Sequence, residues 1–232
     1  MIDINRHRYY LMQLLKEVYA DPELANWLGF KGGTALMFFY DLPRFSVDLD
    51  FDLLQPEKQE AVFEKLRRII LKSGSIHDEA QKFFGPVLVL DYGQGERKLK
   101  VEISNREFDN RYEIRGLFGF NVKVMTEPDM FAHKLCALLD RGTGTNRDIF
   151  DTWFFMQRKA AVNKNIVEAR MKVPLKAHLG NCIDYLESKK DSRLLDGLGE
   201  LMDKELKQFV RTKLRNETIG LLEFYRKYPI IE

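Results

Sequence analysis

The pattern of apolar and polar positions changes near residue 127. Before it, some stretches carry apolar residues at helical spacing and others alternate apolar with polar residues, with glycines in the turns between them. The elements predicted there are helices over about residues 5–20, Thr34–Tyr40 and Pro56–Gly74, and strands over Phe45–Leu54, Val87–Asp91, Leu99–Ser104, Tyr112–Leu117 and Phe120–Met125. From Glu127 onward the spacing is helical, with breaks near residues 142–144, 174 and 191–192.

Strands followed by a run of helices are typical of an α+β protein in which the sheet belongs to one half of the chain. We therefore predict two domains. Residues 1–126 form a mixed β-sheet with flanking helices, and residues 127–232 form a helical domain. The chain shows no internal repeat and no low-complexity segment.

Composition indicates a folded protein, and the net charge by itself excludes neither nucleic acid nor a membrane surface as a partner. A hydrophobic content of 45% and an aromatic content of 12% are typical of a folded globular chain and not of a disordered one. The formal net charge of +2 gives no bulk signal for nucleic acid or an anionic membrane, and no apolar run approaches the roughly 20 residues of a membrane span. Cys136 and Cys182 form no CxxC motif and lie in apolar helical contexts, which predicts buried thiols. We predict a cytoplasmic protein without a membrane segment or a signal peptide.

Three aspartates occupy alternate positions of the predicted strand over Phe45–Leu54. Side chains alternate faces along a strand, so Asp48, Asp50 and Asp52 project to one side and the apolar residues between them to the other. Asp is a poor strand former, and like charges in one row repel each other. A bound cation would neutralise the row, and Mg²⁺ is typically held by one or two carboxylates together with substrate phosphates. The alternative is an ordinary antiparallel strand whose carboxylates face water.

A pair of glycines precedes the predicted short helix, in the sequence Lys31-Gly32-Gly33-Thr34. The first backbone N–H groups of a helix have no partner within it, and glycine lets such a backbone approach an anion closely. Thr34 could cap the helix or donate its hydroxyl group to a phosphate. The alternative is a tight turn with a threonine cap, and the chain contains no GxxxxGK[ST] phosphate loop. An anion site followed by a cation site describes where a nucleoside triphosphate and its metal ions would sit.

These residues resemble the signature of a known family. The segment GGTAL at residues 32–36, followed by RFSVDLDF at residues 44–51, resembles the glycine pair and DxD motif of the DNA polymerase β-like nucleotidyltransferases. The particular residues in these two segments are similar to those of the AbiEii/AbiGii toxin family of bacterial toxin–antitoxin and abortive-infection systems. In a second block, FAHKL at residues 131–135 and RDIFD at residues 147–151 are similar to the lysine helix and the RDxxD element of that family. The resemblance covers about residues 30–155.

The resemblance implies roles for particular residues. Asp48 and Asp50 match the metal-binding pair, and Glu102 is placed to supply the third carboxylate that superfamily members bring from a neighbouring strand. Asp148 matches a further acidic residue of the family site, with Asp151 as the competing choice. The implied catalytic residues are Asp48, Asp50, Lys134 and Asp148, the implied nucleotide-binding residues are Gly32, Gly33, Thr34, Arg44, Ser46 and Lys134, and the implied metal ligands are Asp48, Asp50 and Glu102.

Other positions keep more than one interpretation. Lys98, Lys100 and Glu102 alternate with apolar residues, so Glu102 could equally be one polar residue among several on a strand face. Asp52 lies outside the two-aspartate pattern, and we predict that it contacts solvent or surrounds the metal ligands. The four histidines show no metal-ligand spacing and are interpreted as ordinary residues.

The lysine of the second block lies in the segment FAHKLCALLD at residues 131–140, among apolar neighbours that predict a largely buried helix. A buried ammonium group needs an anionic partner, and the triphosphate is the expected one. The competing account is an ion pair between Lys134 and an acid such as Glu102 or Asp148. In that case Lys134 would belong to the scaffold of the protein.

The resemblance implies a magnesium-dependent nucleotidyltransferase of the AbiEii toxin type, with a nucleotidyltransferase-like fold. Such an enzyme uses a nucleoside triphosphate and two Mg²⁺ ions and releases pyrophosphate. We predict an RNA acceptor such as a tRNA 3′ end, a separately encoded antitoxin partner, and an active site that the helical domain completes. Two alternatives stay open: a module on the same fold that binds a nucleotide or an antitoxin without chemistry, and an enzyme that modifies a protein. The base, the acceptor and the oligomeric state do not follow from the sequence.

Overall fold

The structure of the chain is a computed structural model that describes residues 3–140, 146–189 and 193–232. The chain divides into two compact units, Met1–Met125 and Thr126–Glu232. The breaks predicted near residues 142–144 and 191–192 lie outside the described residues.

The first unit, over its described residues, is a mixed β-sheet with helices packed against it. Its elements are the helices α1 (Ile4–Ala20), α2 (Pro22–Trp27), α3 (Gly32–Phe39) and α4 (Gln59–Ser73), a 3₁₀ turn at Pro56–Lys58, and the strands β1 (Leu28–Lys31), β2 (Leu49–Leu53), β3 (Ser75–Lys82), β4 (Gly85–Asp91), β5 (Leu99–Ser104), β6 (Tyr112–Leu117) and β7 (Phe120–Met125). The seven strands lie in the order β3-β4-β5-β2-β1-β7-β6. β2 pairs in parallel with β5 and antiparallel with β1, and β1 pairs in parallel with β7. The predicted mixed sheet is confirmed, with β2 at its centre.

Aspartate caps begin the first two helices. The Asp3 carboxylate accepts a hydrogen bond from the Arg6 N–H at 3.0 Å, at the start of α1. Asp21 accepts from the N–H groups of Glu23 and Leu24 at 2.9 and 3.1 Å, at the start of α2. A cap of this kind is worth about 1 kcal/mol. The second cap lets a new helix begin directly after the first one, and that helix leads into β1.

The register of β2 is fixed by the face that it buries. Leu49 and Phe51 are fully buried and Leu53 is nearly so, and the rings of Phe51 and Phe30 lie 5.2 Å apart. A slip of one residue would turn this apolar face outward and bury the polar face instead. Burial of the apolar residues therefore determines which way Asp50 points.

Two predicted boundaries near the candidate site are wrong. The strand predicted over Phe45–Leu54 is shorter, because its pairing with β5 starts at Leu49, and Asp48 lies immediately before it. The helix predicted to start at Thr34 starts at Gly32, so the glycine pair forms its first turn. Lys31 occupies the cap position but makes no capping side-chain hydrogen bond, so of the two roles considered for Thr34 the helix cap does not form.

The second unit is helical over its described residues. Its elements are α5 (Glu127–Asp140), α6 (Asn146–Gln157), α7 (Lys164–Met171), α8 (Leu175–Ser188), α9 (Lys204–Thr212) and α10 (Leu214–Lys227), with a 3₁₀ turn at Gly199–Leu201. The rings of Phe131 and Phe155 stack with their centroids 5.0 Å apart and join α5 to α6. Tyr225 is fully buried on α10 and donates its hydroxyl to the Ala160 carbonyl oxygen at 2.9 Å. The predicted helical half is confirmed.

Both cysteines are buried thiols, as predicted. Burial raises the pKa of the Cys136 thiol to about 12 and raises that of Cys182 as well. Both therefore stay protonated and unreactive near neutral pH. No helix among the described residues has the length and apolar character that a membrane span requires.

Candidate functional site

Side chains from three neighbouring strands form a row on the polar face of the first unit's sheet. Asp50 of β2 lies opposite Lys31 of β1 on one side and opposite Glu102 of β5 on the other. Residues directly opposite each other in a sheet share a face, so the three side chains project to the same side. Asp48 lies two residues before Asp50, immediately before the strand begins.

Lys100 stands between two of the carboxylates. It lies two residues before Glu102 on β5 and therefore on the same face. Its Nζ is 2.7 Å from Glu102 Oε2 and 4.0 Å from Asp48 Oδ2. Burial alone would lower the pKa of Lys100, but the hydrogen bond to Glu102 and the charges of the nearby carboxylates raise it. Lys100 is therefore an ammonium group held inside an acidic cluster.

The negative charge of the Asp50 carboxylate is poorly balanced by nearby positive groups. Within the described part of the chain it accepts no hydrogen bond and forms no ion pair shorter than 4.0 Å. Burial raises the pKa of Asp50, and the negative charge of Asp48 raises it further, while the more distant ammonium groups of Lys100 and Lys31 act in the opposite direction. A bound cation would relieve both causes of this shift at once.

The donors fit a divalent cation held by a pair of carboxylates. Mg²⁺ prefers oxygen ligands and is commonly bound through one or two carboxylates, with waters and substrate phosphates completing its shell. Asp48 and Asp50 would supply that pair, and their role as metal ligands stays a prediction. Among the described residues no three His, Cys, Asp or Glu side chains form a metal-binding group, and Glu102 pairs with Lys100. The role of Glu102 as a third metal ligand stays a prediction.

The glycine pair packs directly against this cluster. Gly32 has a φ of +80°, which L side chains rarely adopt, and a Cβ there would collide with the Asp50 carboxylate. A Cβ at Gly33 would lie 2.7 Å from Ser46 Oγ and 3.0 Å from a guanidinium nitrogen of Arg44. The two halves of the sequence motif therefore touch each other, and the glycines are needed for that contact.

The variant Gly32→Ala should lose its activity although it loses only a small part of its stability. Positive φ should cost the variant about 1–2 kcal/mol of stability, and displacement of Asp50 should lower metal-dependent activity about a hundredfold or more. Gly95→Ala is the matched control, because Gly95 has a φ of +79° and, among the described residues, only its own chain neighbours approach within 4 Å of the place that a Cβ would occupy. Urea unfolding and activity assays on both variants make the comparison. Equal activity of the two variants would contradict the contact with Asp50.

Two hydrogen bonds hold the segment that bears Asp48. Thr34 is fully buried and donates its hydroxyl to the Asp48 carbonyl oxygen at 2.5 Å. His7 of α1 is also fully buried, with Nε2 2.9 Å from the Val47 carbonyl oxygen and Nδ1 2.6 Å from the Tyr92 hydroxyl oxygen. Burial lowers the pKa of His7, so the neutral ring donates from Nε2 to Val47 and accepts from Tyr92. Thr34 thus supports the backbone of the candidate site, and its contact with a phosphate stays a prediction.

Asp52 has a buried structural environment. Only 3% of the residue is exposed, and its carboxylate oxygens lie 2.5 Å from Lys31 Nζ, 2.7 Å from the Tyr112 hydroxyl and 3.1 Å from the Asn110 amide nitrogen. The residue opposite it on β1 is Gly29, where a side chain would collide with the Tyr112 ring. The ring of Tyr112 therefore covers Asp52, and the predicted contact of Asp52 with solvent is wrong.

In the second unit, Lys134 bridges two buried aspartates. Its Nζ lies 3.1 Å from Asp148 Oδ1 and 2.8 Å from Asp151 Oδ2. The two aspartates are 3% and 0% exposed. They are three residues apart on α6, so they share a helix face and both reach the lysine. These contacts fit the competing account, in which Lys134 pairs with an acid such as Asp148, and the choice between Asp148 and Asp151 as the site residue stays a prediction.

The residues predicted from the sequence fall into one group in each unit. Arg44 and Ser46 are buried beside the glycine pair. No role was predicted for Lys100 or His7, which contact the cluster and its backbone. The first unit contains Gly32, Gly33, Thr34, Arg44, Ser46, Asp48, Asp50 and Glu102, and the second contains Lys134 and Asp148.

A protein-family profile matches residues 13–223 of the chain. That family is described as the nucleotidyl transferase AbiEii toxin, of a type IV toxin–antitoxin system. A comparison with curated proteins gives no match.

Three solved structures are similar over nearly the whole chain. A protein of H. pylori, described as a candidate nucleotidyltransferase, superposes with a TM-score of 0.65 at 22% identity and covers 97% of this chain and 95% of that chain. JHP933 from Helicobacter pylori gives 0.57 at 21% identity, with 97% and 93% covered. The nucleotidyltransferase toxin MenT4 from Mycobacterium tuberculosis H37Rv gives 0.61 at 18% identity, with 99% and 88% covered. At these identities the likeness shows the fold alone, and the predicted nucleotidyltransferase-like fold is confirmed.

Proposed function

Since the chain belongs to the AbiEii nucleotidyltransferase toxin family of type IV toxin–antitoxin systems, we propose that it transfers a nucleotide from a nucleoside triphosphate to an RNA acceptor with the help of Mg²⁺. In this reaction an acceptor hydroxyl oxygen bonds to the α-phosphorus and gives up its proton to water, the bond between the α-phosphorus and the oxygen that bridges to the β-phosphate breaks, and pyrophosphate leaves. The family supports nucleotidyl transfer in general. The donor, the metal and the acceptor belong to the proposal.

The observation that supports the proposal most is the state of Asp50. Its carboxylate is partly buried beside Asp48, and burial and that neighbour both raise its pKa. Keeping a strained acid in this position costs stability, and the sheet could have paired it as it pairs Asp52 with Lys31. An acid left without such a partner is suited to a cation that arrives with the substrate.

Each part of the cluster has a chemical task in this proposal. Asp48 and Asp50 hold the metal, and Mg²⁺ bound there would neutralise charge on the phosphates and help pyrophosphate to leave. Gly32 and Gly33 lie in the first turn of α3, where backbone N–H groups have no partner within the helix and favour an anion. Thr34 and His7 fix the backbone around Asp48, which keeps the carboxylates in place before the substrate binds.

Lys134 is assigned first to the scaffold of the second unit. Its ammonium group already contacts Asp148 and Asp151. A contact with the triphosphate, which the family resemblance implies, would require one of these ion pairs to weaken. That contact and the catalytic role of Asp148 stay predictions.

If the acceptor is RNA, the affinity of the protein for RNA should depend on the salt concentration. Residues 1–126 contain 18 Lys and Arg residues and 19 Asp and Glu residues, a net charge of −1. Residues 127–232 contain 19 Lys and Arg residues and 16 Asp and Glu residues, a net charge of +3. Arg211, Lys213 and Arg215 form a basic cluster in the helical half, and the first two are exposed. RNA affinity should therefore fall steeply as salt increases, because bound counterions are released on binding.

Alanine at both Arg211 and Lys213 should reduce the dependence of log affinity on log salt by roughly one to two units, about 0.7 for each lost contact with a single strand. Alanine at the exposed residues Lys164 and Lys176 removes the same charge elsewhere and serves as the control. Filter binding between low and physiological salt measures the slopes. Binding that ignores salt, or equal slopes for the two double variants, would count against this RNA surface.

The toxin–antitoxin family implies an antitoxin partner. A separately encoded antitoxin and a cytoplasmic location remain predictions from the sequence. A non-catalytic module that binds a nucleotide on the same fold is the competing proposal. The compact pairing of the glycine turn with Asp48 and Asp50 favours the enzyme, because simple nucleotide binding does not require two adjacent carboxylates.

The proposal is tested by following label from the triphosphate. The protein is incubated with each α-³²P-labelled nucleoside triphosphate, MgCl₂, and either total RNA or protein extract. We expect label in RNA and release of pyrophosphate, both abolished by EDTA. Label in protein would identify a protein-modifying enzyme, and nucleotide binding without transfer to either acceptor would identify the binding module.

A further inference from the structure

Three carboxylates and one ammonium group meet on the polar face of β2 and β5. Lys100 Nζ donates to Glu102 Oε2 at 2.7 Å and lies 4.0 Å from Asp48 Oδ2. Asp50 lies opposite Glu102 in the sheet and also interacts electrostatically with Lys100. The same ammonium group therefore faces all three acids.

An ammonium group and a divalent cation compete for the same carboxylate oxygens. A unit charge about 4 Å from a carboxylate changes its affinity for a second cation by between roughly fivefold and several hundredfold, depending on the effective dielectric constant. The Lys100 side chain is 36% exposed, so solvent screening places its effect toward the lower end of that range. Glu102 fixes the lysine in this position because it accepts the short hydrogen bond.

We propose that Lys100 is a built-in counter-cation of the Asp48–Asp50 pair that weakens the binding of a divalent metal to the pair in the absence of a triphosphate. Glu102 then serves to hold Lys100. The inference rests on the proposed function, since it takes Asp48 and Asp50 as the metal-binding pair. A triphosphate adds negative charge beside the same cluster and gives Lys100 a new partner, so metal and nucleotide bind together more readily than the metal alone.

The variant Lys100→Met removes the charge and keeps the length of the side chain. Lys98→Met is the matched control, because Lys98 lies two residues earlier, carries the same charge and pairs with Asp91 instead. Lys100→Arg retains the charge and should behave as the wild type. Lys100→Gln is a second neutral variant for use if the methionine variant does not fold.

Binding of MnCl₂ to each purified full-length variant is measured without nucleotide, from the electron paramagnetic resonance signal of free Mn²⁺. The shift in melting temperature on addition of MgCl₂ is a second readout. We expect Lys100→Met to bind Mn²⁺ about tenfold more tightly than the wild type and to show a larger shift with MgCl₂. We expect Lys98→Met and Lys100→Arg to show neither change.

Unchanged or weaker Mn²⁺ binding by Lys100→Met, or an equal gain in Lys98→Met, would overturn the inference. Asp50→Asn separates this failure from failure of the proposed function. If the wild type binds Mn²⁺, Asp50→Asn does not, and Lys100→Met equals the wild type, only the role of Lys100 is wrong. If Asp50→Asn binds Mn²⁺ as the wild type does, the metal-binding pair itself is wrong, and the inference falls with it.

Discussion

Asp48→Asn and Asp50→Asn should each lower nucleotidyl transfer by about a thousandfold or more while the protein stays folded. Each substitution keeps the size of the side chain and removes one carboxylate charge, from β2 for Asp50 and from the residue just before β2 for Asp48. The apolar residues that fix the strand are untouched. Initial rates with saturating MgCl₂ and labelled triphosphate measure the loss.

The Asp50→Asn substitution should also change the stability of the protein, and in the direction opposite to its effect on activity. Because burial and the charge of Asp48 raise the pKa of Asp50, the ionised form of this side chain costs more free energy in the folded protein than in the unfolded chain. Asp50→Asn should therefore stabilise the metal-free protein, by about 1 kcal/mol, although it destroys activity. Asp78→Asn on the exposed edge strand β3 is the control and should change neither property. Wild-type turnover by either site variant would show that the pair does not hold the metal.

Lys134→Ala should lower the free energy of unfolding by about 3–5 kcal/mol, because it leaves two buried carboxylates without the ammonium group that both contact. Urea unfolding without nucleotide measures the loss. Lys164→Ala is the control, since Lys164 forms an exposed pair with Glu168 at 3.8 Å, and it should cost less than about 0.5 kcal/mol.

The competing account, in which Lys134 contacts the triphosphate, predicts the opposite effect on stability. If the lysine serves the triphosphate alone, Lys134→Ala should keep its stability and raise KM or lower kcat. A variant with Lys134→Met, Asp148→Asn and Asp151→Asn together should recover most of the lost stability, because the buried charges of all three groups are then removed together. Failure of this recovery would show that the ion pairs do not explain the loss.

The elements with a strong apolar pattern were predictable from the sequence. Leu99–Ser104, Tyr112–Leu117 and Phe120–Met125 begin and end where the alternation places them. The strand β1 was missed, since four residues are too few to show alternation and its place depends on pairing with β2 and β7. The strand β3 was missed because it lies at a sheet edge and carries mostly polar, exposed residues, which are typical of edges.

The candidate site was predictable only as far as its motif. The sequence places the glycine pair shortly before the two aspartates, and the structure shows that Gly32 packs against Asp50. The partners of Lys100 depend on the register of β5 against β2, which no local pattern encodes. His7 lies 40 residues from Val47 and was dismissed as ordinary, because its importance comes from a contact between α1 and the segment before Asp48.

The most direct test of the proposed metal site is a crystal structure of the protein with Mn²⁺ and a non-hydrolysable nucleoside triphosphate. We expect an anomalous-scattering peak bonded to carboxylate oxygens of both Asp48 and Asp50, with phosphate oxygens completing the shell. A peak elsewhere, or a nucleotide bound with no metal at these two aspartates, would contradict the proposal.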